Sequence, residues 1–376
     1  MTEYTIGRME DKAEIVDFIN YVFSQQHCPH DFKLLQPVCY ADSVSEMRAD
    51  HYLAKEDGKI RGLIACRKIK ADFCGKTLKI GEIGNVSVHP YSRGSGYMKT
   101  LLHSAIEDCR AQGVDYMILG GLRQRYAYFG FEHGGYRLVF DLNENNFSHA
   151  LSKLDSSPIT FTEMTEDTPD AIRQALALYR TRPYHVERKE NEFLPLLRGG
   201  HRRAYSVLRD GKWIGYISGE GLTECVLAEE KDFPLVLCAA HDTFGVGNFT
   251  LTCAPFEQER IAFLRSVCEN FRVTHVEQIL VLNWKNVLEG MLRLKASFMR
   301  LDDGEAVFSV DGKGYRITVS DHVPTVTEAE VPAGAPAYTN TEAELRFLQL
   351  DALTLPDPYY HNWLPLPFSL DAPDGF

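Results

Sequence analysis

The stretch VSVHPYSRGSGYMKTLLHSAI, Val86 to Ile106, decides how the first part of the chain is read. Val86 and Val88 alternate as on one face of a strand, whereas Met98, Leu101, Leu102, Ala105 and Ile106 recur at helical spacing. Between them Pro90 ends the strand, and Arg93-Gly94-Ser95-Gly96-Tyr97 supplies a turn with two glycines. A strand, a glycine-rich turn and a helix in this order aim free backbone N–H groups and the positive end of a helix dipole at the turn. The favoured guest of such a turn is an anion, most often a phosphate.

The 376 residues include 40 Lys and Arg against 52 Asp and Glu, a formal net charge of −12. No nucleic-acid partner is expected, because such a platform needs a basic face; an acidic chain suits a cationic partner such as an amine. The opening MTEYTIGRMEDKAEI lacks the apolar core of a signal peptide. No apolar run approaches the ~20 residues that cross a bilayer, so a cytoplasmic protein without a membrane partner is expected. None of the nine cysteines forms a CxxC pair, and several sit in apolar runs such as LVLCAA. That pattern fits reduced, buried thiols better than a disulfide framework. The stretch HCPHD, His27 to Asp31, has no companion cluster at zinc-like spacing, and no metal is expected.

Along the chain, residues 10–25 have helical periodicity, and Tyr52 to Ile64 reads as two strands about an Asp57-Gly58 turn. Val114 to Gly121 reads as a buried strand. Strands alternating with helices define an α/β domain over residues 1–148. A repeat then appears. YLAKEDGKIRGLI, Tyr52 to Ile64, returns as YSVLRDGKWIGYI, Tyr205 to Ile217, with tyrosine, Asp-Gly-Lys, glycine and isoleucine in register at an offset of 153 residues. The repeat predicts a second, diverged copy over residues 149–283. Its later strand NFTLTCAP also ends in proline, but the following FEQERIAFLRSV has no glycine, so the phosphate-binding turn is lost there. Residues 284–376 change pattern again, with a helix (WKNVLEGMLRLKA), a hairpin (AVFSVDGKGYRITV) and a second helix (TEAELRFLQL). The ending LPDPYYHNWLPLPFSLDAPDGF is apolar to its last residue, unlike an ordinary frayed terminus. It reads as a segment packed against the rest.

Three kinds of glycine-rich turn compete for Val86 to Ile106. A P-loop needs GxxxxGK[ST], which the chain lacks. A dinucleotide fingerprint needs GxGxxG and an acid at the end of the next strand; here Gly96 is followed by Tyr97-Met98-Lys99, and Asp115 stands at that strand's start. What remains is VxVxPxxRGxG, a helix, a strand, and Tyr126-Ala127-Tyr128-Phe129-Gly130-Phe131. This combination resembles the Gcn5-related N-acetyltransferase (GNAT) superfamily. The resemblance implies acetyl-CoA as co-substrate. It makes Val86, Ser87 and Val88 the strand that pairs with the pantetheine arm, and Gly94, Ser95, Gly96, Tyr97, Met98 and Lys99 the pyrophosphate cradle. Arg93 and Lys99 add charge, Gly121 and Leu122 lie beside the cofactor, and Tyr126 protonates the departing thiolate. Met98 stands where the superfamily has a small residue.

That departure, the length, the repeat and the ending resemble the Eis-type ("enhanced intracellular survival") branch. The implied architecture is α/β (α+β): tandem GNAT folds with mixed central sheets flanked by helices, then a small α+β sterol-carrier-protein-like domain over residues 284–376. The branch implies that the terminal carboxylate, here that of Phe376, enters the active site as base towards the amine, with Glu82 as the alternative base. Phe23, His27, His30, Asp31 and Phe32 fall where the superfamily's acceptor pocket has side chains, and of these Phe23 and Asp31 are the expected substrate contacts. The branch implies an amine acceptor of the multi-amine small-molecule class, such as aminoglycosides, attacked in a ternary complex, and a homo-oligomer, a hexamer. The alternatives are a coenzyme A or lipid-binding sensor without turnover, and a protein-amine acetyltransferase.

Overall fold

The computed structural model describes residues 2–25, 28–350 and 362–376. The two longest strands, Lys59–Phe73 and Lys76–Val88, form the centre of an eight-stranded sheet. Its order runs Thr2–Ile6, Asp50–Glu56, Lys59–Phe73, Lys76–Val88, Tyr116–Leu119, Glu277–Val281, Glu132–Gly134, with Tyr184–Val186 paired to the far end of Lys59–Phe73. All neighbours are antiparallel except Lys76–Val88 and Tyr116–Leu119. A parallel pair needs a crossover, and the expected helix, Tyr97–Ala111, supplies it. Leu101, Leu102, Ala105, Ile106 and Cys109 of that helix are buried against the sheet, the stripe its spacing predicts. On another part of the sheet Lys12–Ser24 buries Ile15, Val16, Phe18, Ile19 and Val22.

The Asp-Gly turns at 57–58 and 210–211 both have two central residues with positive φ, 49° and 75° in one and 50° and 74° in the other. This is the two-residue hairpin turn that Asp-Gly favours. The repeat extends into the hydrogen bonding. Ala54 pairs with Gly62 and Lys55 with Ile60; 153 residues later Val207 pairs with Gly215 and Leu208 with Trp213. The same bulge thus recurs at the same place. Around the second hairpin a four-stranded sheet runs Glu224–Leu227, Lys212–Ser218, Ala204–Arg209, Ile159–Glu163.

The sheets cross the expected boundaries at 148 and 283. Glu277–Val281 lies between Tyr116–Leu119 and Glu132–Gly134 in the first sheet. Reciprocally, Arg137–Leu142 lies between Phe249–Cys253 and Asn270–Thr274. Each half lends a strand to the other, which a reading of local periodicity has no means to detect. From the sheet around the second hairpin, Glu224–Leu227 leads through residues 228–232 into the helix Phe233–Phe244. Those residues include Glu229, Glu230 and Asp232, a charge opposed to any phosphate.

Residues 284–350 form a fourth sheet, Val323–Glu328, Lys313–Ser320, Gly304–Val310 and Ala337–Tyr338, with the helices Trp284–Ala296 and Asn340–Leu348. The two-residue edge strand Ala337–Tyr338 falls in the Pro/Ala-rich stretch between the hairpin and the last helix. Trp363, Leu366 and Phe368 are fully buried in one continuous core with Leu78, Ile80 and Tyr116 of the first sheet. The apolar tail is therefore interior. No helix among the described residues is long and apolar enough to cross a membrane.

Candidate active site

The site starts at an irregularity in the central strands. Leu63 pairs with Ser87 and Ala65 with Gly84, so Asn85 and Val86 together stand opposite Ile64. Asn85 has φ of 52°, and asparagine is one of the few residues other than glycine that adopts it readily. Its amide donates to Tyr40 Oη at 2.7 Å and to Gln36 Oε1 at 2.9 Å, and Tyr40 Oη lies 2.9 Å from His51 Nε2. Burial pushes the Tyr40 hydroxyl well up and His51 down to about 4, leaving both neutral. The bulge is thus held from behind by an uncharged polar chain.

Parallel pairing of Lys76–Val88 with Tyr116–Leu119 stops at Ile83 and Leu119. Beyond it, Gly84 to Val88 and Gly120 to Leu122 are not paired with each other, and a cavity of about 740 Å³ opens there. Ile83, Gly84, Asn85, Val86, Gly120, Gly121, Leu122 and Tyr126 line it, together with Phe23, His30, Phe32, Gln36, Leu196, Gly199, Gly200 and Arg202. Gly121 has φ of 135°, and a Cβ there would come within 2.8 Å of the Tyr126 ring. Gln278 Nε2 donates to Gly121 O at 2.8 Å from the lent strand. The short helix Arg123–Tyr126 is tied by a two-point pair of Arg123 with Glu132, both contacts 2.7 Å. Tyr126 is buried, burial raises its pKa, and its hydroxyl has no protein hydrogen-bond partner among the described residues.

The turn lies at the other end of the cleft strand. Gly94 and Gly96 have φ of 87° and 81°, and a Cβ at either would meet nothing within 4 Å; conformation, not crowding, selects glycine. Gly96 caps the fifteen-residue helix Tyr97–Ala111. Arg93 and Lys99 are exposed, and Lys99 Nζ donates to Tyr128 Oη at 2.6 Å. Tyr97 turns the other way, donating its hydroxyl to Glu56, and Met98 packs on the core beneath the helix.

The chain end arrives from the opposite direction. Asp371 accepts from Arg182 at 2.5 and 3.1 Å. Asp374, 1% exposed, accepts from Arg188 Nε at 2.9 Å and Nη2 at 2.8 Å and from Tyr179 Oη at 3.1 Å. The Asp374 carbonyl accepts from Arg67. Ala372, Pro373, Gly375 and Phe376 then line the cavity, and the Phe376 ring lies on Gly84, 5.6 Å from the Arg67 guanidinium. Glu82 is 3% exposed and does not line the cavity. It accepts from Arg67 Nη2 at 2.7 Å and Nε at 3.0 Å and from the Phe376 N–H, while burial pushes its pKa up.

Residues 4–134 match the family model of an acetyltransferase (GNAT) domain. The chain is similar over its whole length to solved structures of low identity. A probable N-acyltransferase from Enterococcus faecalis is 14% identical, with 91% of this chain and 88% of that one covered and a TM-score of 0.66. Eis1 from Mycobacterium abscessus is 12% identical over 100% of both chains, with a TM-score of 0.63. A GCN5-related N-acetyltransferase from Anabaena variabilis is also 12% identical over 100% of both, with a TM-score of 0.64. No curated protein matches the chain. Residues 4–134 carry a GNAT acetyltransferase domain, and the chain as a whole shares the fold of these structures.

Of the residues expected in the GNAT domain's site, Val86, Gly121, Leu122, Tyr126, Phe23 and Phe376 share the cavity. Ser87 and Val88 continue along the cleft strand, and residues 93–99 form the turn beyond it. Asp31 is exposed and accepts from Lys33 N as the cap of Phe32–Leu35; it is not part of the cavity wall. His27 lies outside the described residues. Sequence reasoning missed Arg67, Asn85, Arg125 and Arg202. An asparagine inside an apolar strand is a bulge signal that was available for Asn85. Arg202 had none, because it comes from the second half of the chain.

Proposed function

We propose that the chain transfers the acetyl group of acetyl-CoA to a primary amine by direct attack in a ternary complex. The observation that carries this reading is the convergence, in one cavity, of the bulged strand, the unpartnered Tyr126 hydroxyl and the chain terminus. Pantetheine would pair with the free edge of Val86 to Val88, and the N–H groups of the turn would receive the pyrophosphate. The amine nitrogen bonds to the thioester carbon, and N–H groups at the bulge stabilise the oxyanion. Collapse breaks the carbon–sulfur bond, and Tyr126 gives its proton to the sulfur. The Phe376 carboxylate takes or relays the proton of the attacking nitrogen.

Glu82 is the poorer base. It lies behind Phe376, its charge is engaged by Arg67, and moving it would strand a buried guanidinium. The tandem reading is supported by the bulge and register that recur at an offset of 153 residues. The sterol-carrier-like assignment of 284–376 gives that region a scaffolding role, delivering the tail. A homo-oligomer, a hexamer in the branch it resembles, is the assembly that light scattering would test.

The test is coenzyme A release across amines, on the native chain and on one extended beyond Phe376. Turnover lost on extension supports the terminal carboxylate. Equal turnover in both chains removes that role and keeps the transferase.

A further inference from the structure

The acidic balance of the chain does not extend into its cavity. No Asp or Glu side chain is among the described residues that line it, while Arg67, Arg125 and Arg202 are. Arg67 is neutralised by Glu82. Arg202 is not neutralised. It is half-buried, its Nε donates to Leu197 O at 3.4 Å, and its two terminal nitrogens have no protein acceptor among the described residues. The nearest carboxylate, Glu224, is already taken by Arg188 at 2.6 and 2.8 Å. Burial without a partner lowers the Arg202 pKa.

The side chain is held in place by deliberate local geometry. Gly200, with φ of 67°, donates to Leu35 O at 2.9 Å and docks the 199–200 turn on the first half of the chain. The guanidinium lies over that turn, 3.2 Å from where a Gly200 Cβ would stand, and its stem runs along Gly219. A preorganised planar cation whose terminal nitrogens are unpartnered is suited to a carboxylate, which accepts two parallel N–H bonds from it. Arg202 lines the same cavity as Gly121 and Tyr126 but comes from the second half of the chain.

Resting on the acetyltransfer reading above, we infer that the acceptor is a primary amine that also bears a carboxylate, and that Arg202 holds that carboxylate. A polycation such as an aminoglycoside would meet two unneutralised arginines and, of anionic groups, only the Phe376 carboxylate. Arg125, exposed at the cavity, adds to the field without fixing the anion.

The test compares kcat/KM for matched pairs with acetyl-CoA in excess: tyrosine with tyramine, lysine with cadaverine, and phosphoethanolamine with ethanolamine. The native enzyme should prefer each amino acid over its decarboxylated partner by roughly ten- to a hundred-fold, the scale of a charge-assisted two-point contact. Arg202→Met should bring that ratio close to one by raising the acceptor KM, and Arg202→Lys should restore part of it. Acetyl-CoA binding by calorimetry is the fold control. If Arg202→Met fails to fold, the native ratios alone decide. Preference for cadaverine, or for aminoglycosides run alongside, overturns the inference and leaves the transferase reading standing. Preference for phosphoethanolamine with no preference for the amino acids overturns the carboxylate assignment. Silence on every amine, with acetyl-CoA bound, overturns the amine-transfer reading itself.

Discussion

Replacing Gly84 with alanine separates the position of the chain end from the stability of the fold. Gly84 is paired inside the longest part of the sheet and has an ordinary φ, so alanine is not strained by its own backbone. Its Cβ would overlap the ring of Phe376, with Cε1 at 2.7 Å and Cγ at 2.8 Å. Ordinary contact begins near 3.4 Å, so the ring must retreat by about 1 Å or more. The sheet is close-packed and the terminal residue is free at one end, so the tail is the partner that yields. A 1 Å misplacement of a reacting group costs on the order of 10²-fold in rate, or about 2.7 kcal/mol of barrier. Lost burial of a half-buried ring costs less than about 2 kcal/mol of stability. G84A should therefore lose roughly a hundred-fold in kcat, by coenzyme A release, while its thermal midpoint falls only a few degrees. Phe376→Ala keeps the carboxylate and removes the clashing atoms, so G84A/F376A should recover at least about ten-fold over G84A. Native turnover in G84A, with a native melt, would refute the claim that the terminus must sit at Gly84.

Tyr126→Phe should lower kcat by about 10²- to 10⁴-fold with acetyl-CoA affinity nearly intact; because burial raises the Tyr126 pKa, the native rate should not fall on the alkaline side below about pH 10. His51 is neutral in the fold with a pKa of about 4, against 6.5 when exposed, so its contribution is fully present above about pH 6.5 and is lost as pH falls towards 4. That loss reaches roughly 3 kcal/mol. Urea melts of His51→Gln should show a correspondingly shallower pH dependence over that window, and an unchanged slope counts against the assignment. Lys295 is 1% exposed, donates to Pro365 O at 2.9 Å, and is pushed down to about 7 by burial. Its cost is absent above pH 10.5, grows as pH falls, and is complete below 7. Lys295→Met should therefore raise the melting midpoint, more at pH 6 than at pH 10, by a few kcal/mol less the ~1 kcal/mol of the lost hydrogen bond.

The part of the candidate site that lies in the first domain was legible where the pattern is local. Val86 to Ile106 encodes strand, turn and helix within one contiguous stretch, and Gly94 and Gly96 announce the turn through φ values that only glycine tolerates cheaply. Tyr126 lies a fixed distance from Gly130-Phe131 along the chain. The strand exchange of Arg137–Leu142 and Glu277–Val281 was not legible, because pairing of residues 107–115 and 159–165 apart leaves no periodic trace in either segment. Charge misled for a related reason. A net −12 is a sum over the surface, whereas the cavity sees only the side chains turned into it, and Arg202 arrives there through a glycine-enabled turn from the other half of the chain.

The tail shows how two kinds of force divide one task. LPLPFSL buries Leu366 and Phe368 completely, and this apolar burial supplies most of the attachment. Burial is non-directional, however, and a slip of one residue along an extended segment would move the terminus by about 3.3 Å, enough to remove it from the site. The ion pairs at Asp371 and Asp374 resist that slip. The Asp374 pair is buried and the Asp371 pair partly so, and neither is the cheapest way to fill its space, since well-packed apolar residues of similar volume often stabilise more. What they add is register. Arg182, Arg188 and Tyr179 belong to the second half of the chain and Arg67 to the first, so Asp374 closes only when both halves and the tail are in place. Two residues later the chain ends at Gly84. Fixed charges two and five residues upstream, at Asp374 and Asp371, thus set where the Phe376 ring lies, a constraint that apolar burial of LPLPFSL alone does not supply.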